Sequence, residues 1–185
     1  MTAQNNANRT TWQRVSRITA RTVIGISITG LVAMWIYAFG FASKESVNKI
    51  DDQVWTQRAE GICKQAMEKR LALADLRQIS DAGANALNER ADLVDKATDT
   101  LEDAITQISA VPPTDAKGMA IVPLWIADYK QLIKDRRDYT ALLRTGVNEP
   151  FSESMFEGLP ISEKISTFAA DNRMTSCKIP MDLSI

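Results

Sequence analysis

Residues 22–43 read TVIGISITGLVAMWIYAFGFAS, from Thr22 to Ser43, without one charged side chain. At about 1.5 Å of rise per residue such a stretch makes about 33 Å of helix, and the hydrocarbon core of a bilayer is about 30 Å thick. The stretch predicts a single transmembrane helix. Around it the chain divides into a basic tail over 1–21, the helix over 22–43 and one folded domain over 44–185.

Residues 1–11, MTAQNNANRTT, are polar and aperiodic, as a disordered segment would be. Arg9, Arg14, Arg17 and Arg21 then bring the charge of residues 1–43 to +4 with no acid, while Lys44, Lys49 and Arg58 alternate with Glu45, Asp51, Asp52 and Glu60 on the other side. The positive-inside rule places the arginine side in the cytoplasm and the following domain outside, across the plasma membrane. Gly40-Phe41-Ala42 has the small residues of a signal-peptide cleavage site, but the apolar run exceeds the usual core of about 7–15 residues, which favours a retained anchor. Trp35 and Tyr37 suit an interfacial aromatic belt. Thr22, Gly25, Thr29, Ala33 and Gly40, at spacings of 3, 4, 4 and 7, align small residues on one helical face against which another membrane helix could dock.

The 142 residues from 44 onward carry 18 basic and 23 acidic side chains, a net −5 that argues against nucleic acid as a partner. Histidine is absent from the chain, which removes Ser-His-Asp and Cys-His catalysis, histidine zinc sites and proximal-histidine haem. No metal, cofactor or catalytic residue is expected. An enzyme built on this sequence would have to rely on carboxylates alone. Cys63 and Cys177, 114 positions apart, fit no local metal-binding spacing. Outside the cytoplasm they read as a disulfide closing nearly the whole domain, the alternative being two free redox thiols.

Helical periodicity runs through that domain. Val47, Ile50 and Val54 begin a first helix that continues through Trp55, Ala59, Ile62, Ala66, Leu73 and Leu76, with no proline between Ser43 and Val111 to separate it from the membrane helix. Ser80-Asp81-Ala82-Gly83 reads as a break with Asp81 as a cap. Leu87, Ala91, Val94, Thr98, Leu101, Ile105 and Ile108 alternate steps of 4 and 3 in a second helix, which Val111-Pro112-Pro113 ends. Val122, Trp125, Tyr129, Leu132, Arg136, Tyr139 and Leu143 mark a third, with Pro123 as a start or kink and Gly146 as its stop. Residues 147–160 form a turn-rich connection whose Phe151, Met155 and Phe156 should pack under the bundle. A short fourth helix, about 162–172, presents Ile165, Phe168 and Ala169. No strand pattern is apparent. The expected fold is all-α: one N-terminal transmembrane helix, then an extracytoplasmic antiparallel bundle of three longer helices and a short fourth.

Two groups could carry function. Arg136 falls on the apolar seam beside Tyr139 and needs a partner there, either a structural ion pair inside the bundle or an anionic ligand in a pocket. Asp92, Asp95, Asp99 and Glu102 form an acidic stripe, read either as a solvated face or as a contact for a cation or basic partner.

Arg58-Ala59-Glu60-Gly61-Ile62-Cys63, Asp135-Arg136-Arg137-Asp138-Tyr139 and Ser176-Cys177-Lys178-Ile179-Pro180 together resemble a group of actinobacterial single-pass membrane proteins. Their plan is a basic tail, one anchor and a helical domain with two distant cysteines. The resemblance implies a Gram-positive-type envelope and no active site; by architecture alone the chain is similar to small accessory subunits of respiratory supercomplexes. The function expected is a non-catalytic accessory or assembly subunit of a larger membrane complex, its partners being the lipid bilayer and other membrane subunits. The second reading is a tethered extracytoplasmic domain that senses or binds a ligand, although a small-molecule ligand is not expected.

Overall fold

The computed structural model describes residues 21–41, 45–73 and 85–180 and separates into two compact units, Met1–Glu45 and Ser46–Ile185. In the first, α1 spans Arg21–Phe41, long and apolar enough to cross a membrane, with all its residues exposed. Its last turn, Tyr37–Phe41, widens into a π-helix, and Trp35 stacks on Phe39 one turn away.

The second unit holds α2 (Gln53–Leu71), α3 (Ala86–Ser109), α4 (Ala116–Arg144), a hairpin of β1 (Met155–Phe156) and β2 (Leu159–Pro160), α5 (Ile161–Asp171) and a 3₁₀ turn at Thr175–Cys177. Consecutive long helices are antiparallel. The Trp55 indole donates to the Val111 carbonyl, joining the start of α2 to the end of α3, while Arg70 meets Thr100 further along. Arg144 pairs with Asp92 and Arg137 with Glu102, which sets α4 against α3 in the reverse direction.

The seams of α3 and α4 form as their spacing requires. From Ala91 to Ile108 the expected α3 positions are all buried, with Leu87 half-buried, and all seven expected α4 positions are buried. Trp125 lies at the centre, edge-on to Trp55 and Tyr129 and tilted against Phe168, with ring centroids at 6.3, 5.0 and 5.2 Å. Its N–H donates to the Ile165 carbonyl, so the ring is buried without stranding its polar atom. Pro123 sits inside α4, which starts seven residues earlier at Ala116 behind the Asp115 cap.

Three expectations need correction. The first helix does not run on from α1: α2 starts only at Gln53, capped by the Asp52 carboxylate on the Trp55 amide, and Val47 and Val54 are exposed. The preceding segment is held by other partners instead. Ile50 N–H donates to Asn172 Oδ1, and Asn172 Nδ2 donates back to the Asn48 carbonyl, both at 2.9 Å. Second, the 147–160 connection contains a short antiparallel ladder pairing Met155 with Pro160 and Phe156 with Leu159. Glu157 (φ 50°) and Gly158 (φ 83°) form its two-residue turn, the positive-φ pair that suits the twist of a hairpin. Third, of the aromatic and Met residues there, Phe151 packs edge-on to Tyr139, whereas Met155 and Phe156 are exposed. The expected break at 80–83 and the expected end of the anchor at Ser43 lie outside the described residues.

After α5 the chain closes with the hydrogen bonds of a Schellman motif, Met174 N–H to the Ala169 carbonyl and Arg173 N–H to the Ala170 carbonyl. Its left-handed position is Arg173, at φ 58°. A side chain there is disfavoured by about 1 kcal/mol relative to glycine. Arg173→Gly should therefore stabilise the bundle by up to about 1 kcal/mol, read as a higher urea midpoint with an unchanged slope. A lowered midpoint would show that the Arg173 side chain outweighs its backbone strain.

Candidate functional site

Two arginines of α4, Arg137 and Arg144, reach across to the acidic stripe of α3. The 3-4-3 spacing of Asp92, Asp95, Asp99 and Glu102 lines four carboxylates along α3, and the seven-residue step from Arg137 to Arg144 puts two guanidiniums on the facing side of α4. Arg137 contacts Asp95 at 3.0 Å, Asp99 at 2.5 Å and Glu102 at 3.1 Å. Arg144 contacts Asp92 at 2.7 Å and Asp95 at 2.8 Å. Asp95 is the shared member and also accepts from the Thr140 hydroxyl at 2.9 Å. Burial raises the Asp95 carboxyl, but hydrogen bonds from Arg137, Arg144 and Thr140 outweigh it and hold the group below its ordinary 3.8. The same carboxylates hold Arg137 well above the usual guanidinium range, against the opposing effect of its partial burial. Four acids face two arginines, so the stripe keeps an acidic excess while most of its members are half or more exposed.

Arg136 points the other way, into the seam, and is 1% exposed. Its Nε donates to Thr98 Oγ1 at 2.9 Å, and that hydroxyl donates to the Val94 carbonyl at 2.6 Å. Thr98 was the one polar member of the α3 seam, and its place is explained by this relay. Tyr139, one turn beyond Arg136, packs in a separate cluster with Ala91, Val94, Leu143 and Phe151. A small cavity, about 10 Å³, lies among Cys63, Arg70, Leu101, Ile105, Tyr129 and Ser176. That is room for about one water molecule.

Cys63 and Cys177 lie at disulfide distance, with sulfurs 2.01 Å apart and Cα atoms 5.0 Å apart. Two of the stretches behind the resemblance meet at this point. The Glu60 carboxylate accepts from the Ser176 amide at 2.9 Å and its hydroxyl at 2.7 Å, and the Tyr129 hydroxyl donates to the Cys177 carbonyl. Burial pushes the Tyr129 phenol far up, keeping it a donor across the physiological range. Arg58 of the same stretch donates to the Gln107 carbonyl at 2.6 Å, placing its positive charge at the C-terminal end of α3. In the third stretch, Asp135 accepts from the Ser154 amide at 2.7 Å and anchors the connection before the hairpin.

On α1, Thr29 Oγ1 donates to the Gly25 carbonyl at 2.9 Å, and the space around Gly25 and Gly40 is open. The π turn changes the helical phase before Gly40, so it falls off the line of Thr22, Gly25, Thr29 and Ala33.

Arg137, Arg144 and Thr140 were not singled out by sequence reasoning as partners of the stripe. The signal was present in the matching 7-residue steps on two helices already expected to be antiparallel. Comparison with protein-family models, curated proteins and solved structures finds no match to this chain.

The depressed Asp95 carboxyl contributes stability that is present above its ordinary value of 3.8 and is lost as pH falls through its lower folded value. Asp95→Asn should therefore lower stability at pH 7 by about 1 kcal/mol and flatten the loss of stability below about pH 4. Urea midpoints measured from pH 7 to 2 check it; an acid limb as steep as that of the unaltered protein contradicts the shared-carboxylate geometry.

Proposed function

We propose that this protein is a non-catalytic, single-pass accessory or assembly subunit of a larger membrane complex. The observation that carries the reading is α1: 21 residues, apolar, long enough to span a bilayer and exposed along its entire length. In water such a surface is costly, because apolar side chains from Val23 to Phe41 stay unburied. Lipid, or lipid and a neighbouring membrane helix, removes that cost. Arg9, Arg14 and Arg17 before it and Arg21 at its first position favour a cytoplasmic N-terminus in the plasma membrane and an extracytoplasmic bundle. A paired Cys63–Cys177 accords with that orientation.

The bundle supports the subunit role by its chemistry. The charged α3–α4 face is braced by its own arginines and retains exposed carboxylates, a surface suited to protein contacts in the polar phase. Among the described residues the ligand-binding alternative has less to work with. The cavity beside Arg70 and Tyr129 accommodates about one water. Arg136 is occupied at Nε by Thr98.

Purification of the full chain from its native membrane in mild detergent should recover it with other membrane subunits in constant proportion. Gly25→Leu together with Thr29→Leu, on the small-residue face of α1, should deplete those subunits while leaving the protein in the membrane. Recovery of the unaltered chain alone, or only with copies of itself, would overturn the accessory-subunit reading.

A further inference from the structure

The β1–β2 hairpin is held firmly at its base and buries little of its own apolar surface. An isolated two-stranded hairpin is marginal in water, and polar side chains brace this one. Asp135 accepts from the Ser154 amide at 2.7 Å and hydroxyl at 3.0 Å, and Gln131 donates to the same hydroxyl at 3.1 Å. Glu153 accepts from the Ser162 amide at 2.7 Å and hydroxyl at 2.8 Å, tying the two ends of the hairpin together. Lys164, paired with Asp128 at 2.8 Å, lies 4.0 Å from the centre of the Phe156 ring. Phe156 and Leu159 share one face of the ladder, Met155 and Pro160 the other. An antiparallel pair ordinarily turns an apolar face to a core and a polar face to water. Here both faces carry apolar side chains in water, with Phe156, Leu159 and Met155 46, 55 and 61% exposed.

The charge carried by this stretch has one sign. From Thr145 to Glu163 the chain has four carboxylates, Glu149, Glu153, Glu157 and Glu163, and no basic side chain. Glu153 is turned to Ser162, whereas Glu157 in the turn and Glu163 in the first turn of α5 are exposed. The neighbouring cations are matched already, Lys164 by Asp128 and Lys134, beside Asp135, by Asp138. Glu157 holds its place at φ 50°, a left-handed conformation that glycine, asparagine or aspartate adopts more readily. The turn therefore keeps an exposed carboxylate between its apolar strands at a cost in backbone strain.

We propose that this hairpin docks into another protein subunit. Phe156, Leu159 and Met155 enter an apolar cleft of that subunit, and Glu157 meets lysine or arginine at its rim. This rests on the accessory-subunit reading. Aromatic and methionine side chains are enriched where protein interfaces are buried, and a hairpin already braced has little order left to gain on docking. A second copy fits less well, because a two-fold contact of this patch with itself sets Glu157 and Glu163 against like charges. An apolar lipid layer would strip water from Glu157 without supplying a cation.

The test places the photocrosslinker benzoylphenylalanine at Met155 of the full chain, irradiates the native membrane, and maps crosslinked peptides by mass spectrometry after purification in mild detergent. The probe should join a peptide of a co-purifying subunit that carries lysine or arginine beside apolar residues. Glu157→Lys should lower the yield of that crosslink about tenfold. Glu157→Asn, which suits the left-handed turn and so keeps the hairpin, should lower it about threefold. Crosslinks confined to lipid, to a second copy or to an acidic peptide overturn the proposal, as does a yield that neither substitution lowers. Co-purifying subunits with no crosslink from position 155 overturn it and leave the accessory-subunit reading standing. A chain recovered alone overturns that reading, and the proposal with it.

Discussion

The bundle is held shut where its first and last segments meet. Ile50 is fully buried, its amide donating to Asn172 Oδ1 while Asn172 Nδ2 donates to the Asn48 carbonyl. Cys63 and Cys177 join α2 to the 3₁₀ turn, with Glu60, Ser176 and Tyr129 fixing the same segment by hydrogen bonds. A covalent loop of just over 100 residues removes unfolded-chain entropy worth about 4.7 kcal/mol in the simple loop-closure treatment. The 174–180 segment has little regular structure of its own, yet Met174 is completely buried. Without these ties the short α5 would be left to its apolar face, the Trp125–Ile165 hydrogen bond and the Lys164–Asp128 ion pair with α4.

The α3–α4 pair shows two different uses of arginine on adjacent residues. Arg137 stays partly in water and gathers three carboxylates, an arrangement that screening by salt weakens and that fixes the relative register of two helices. Arg136 is buried in the seam, where a charge is tolerated only if its donors are occupied. Thr98 supplies one acceptor without adding a charge or interrupting α3, since its own proton goes to the Val94 carbonyl a turn back. Together the pair specifies which faces of α3 and α4 meet more sharply than the apolar seam alone would.

Those seams were legible because their information is local and periodic: the 3- and 4-residue steps from Leu87 to Ile108 and from Val122 to Leu143 need no knowledge of the partner. The start of α2 was not legible for the opposite reason. Val47, Ile50 and Val54 have helical spacing, but Asn172, more than a hundred residues away, satisfies the Ile50 amide and leaves the helix to begin at Gln53. The hairpin escaped notice because each of its strands is two residues long, too short for any alternation to register. Glu157-Gly158 was its one signal, a turn pair in which glutamate takes a left-handed conformation usually left to glycine, asparagine or aspartate. Of the candidate site, sequence reasoning found the acidic stripe and the buried Arg136 but not the arginines that hold the former or the threonine that receives the latter.

We propose that a disulfide-closed helical bundle lies outside a membrane that α1 crosses. The direct measurement treats intact cells producing the full chain with a protease that cannot cross the membrane, alkylates free thiols, and maps the peptides without reduction. The expected result is that the bundle is cleaved from outside, that α1 stays with the membrane, and that a peptide pair joined through Cys63 and Cys177 is recovered. A bundle cleaved only after lysis, with both cysteines alkylated, would contradict it.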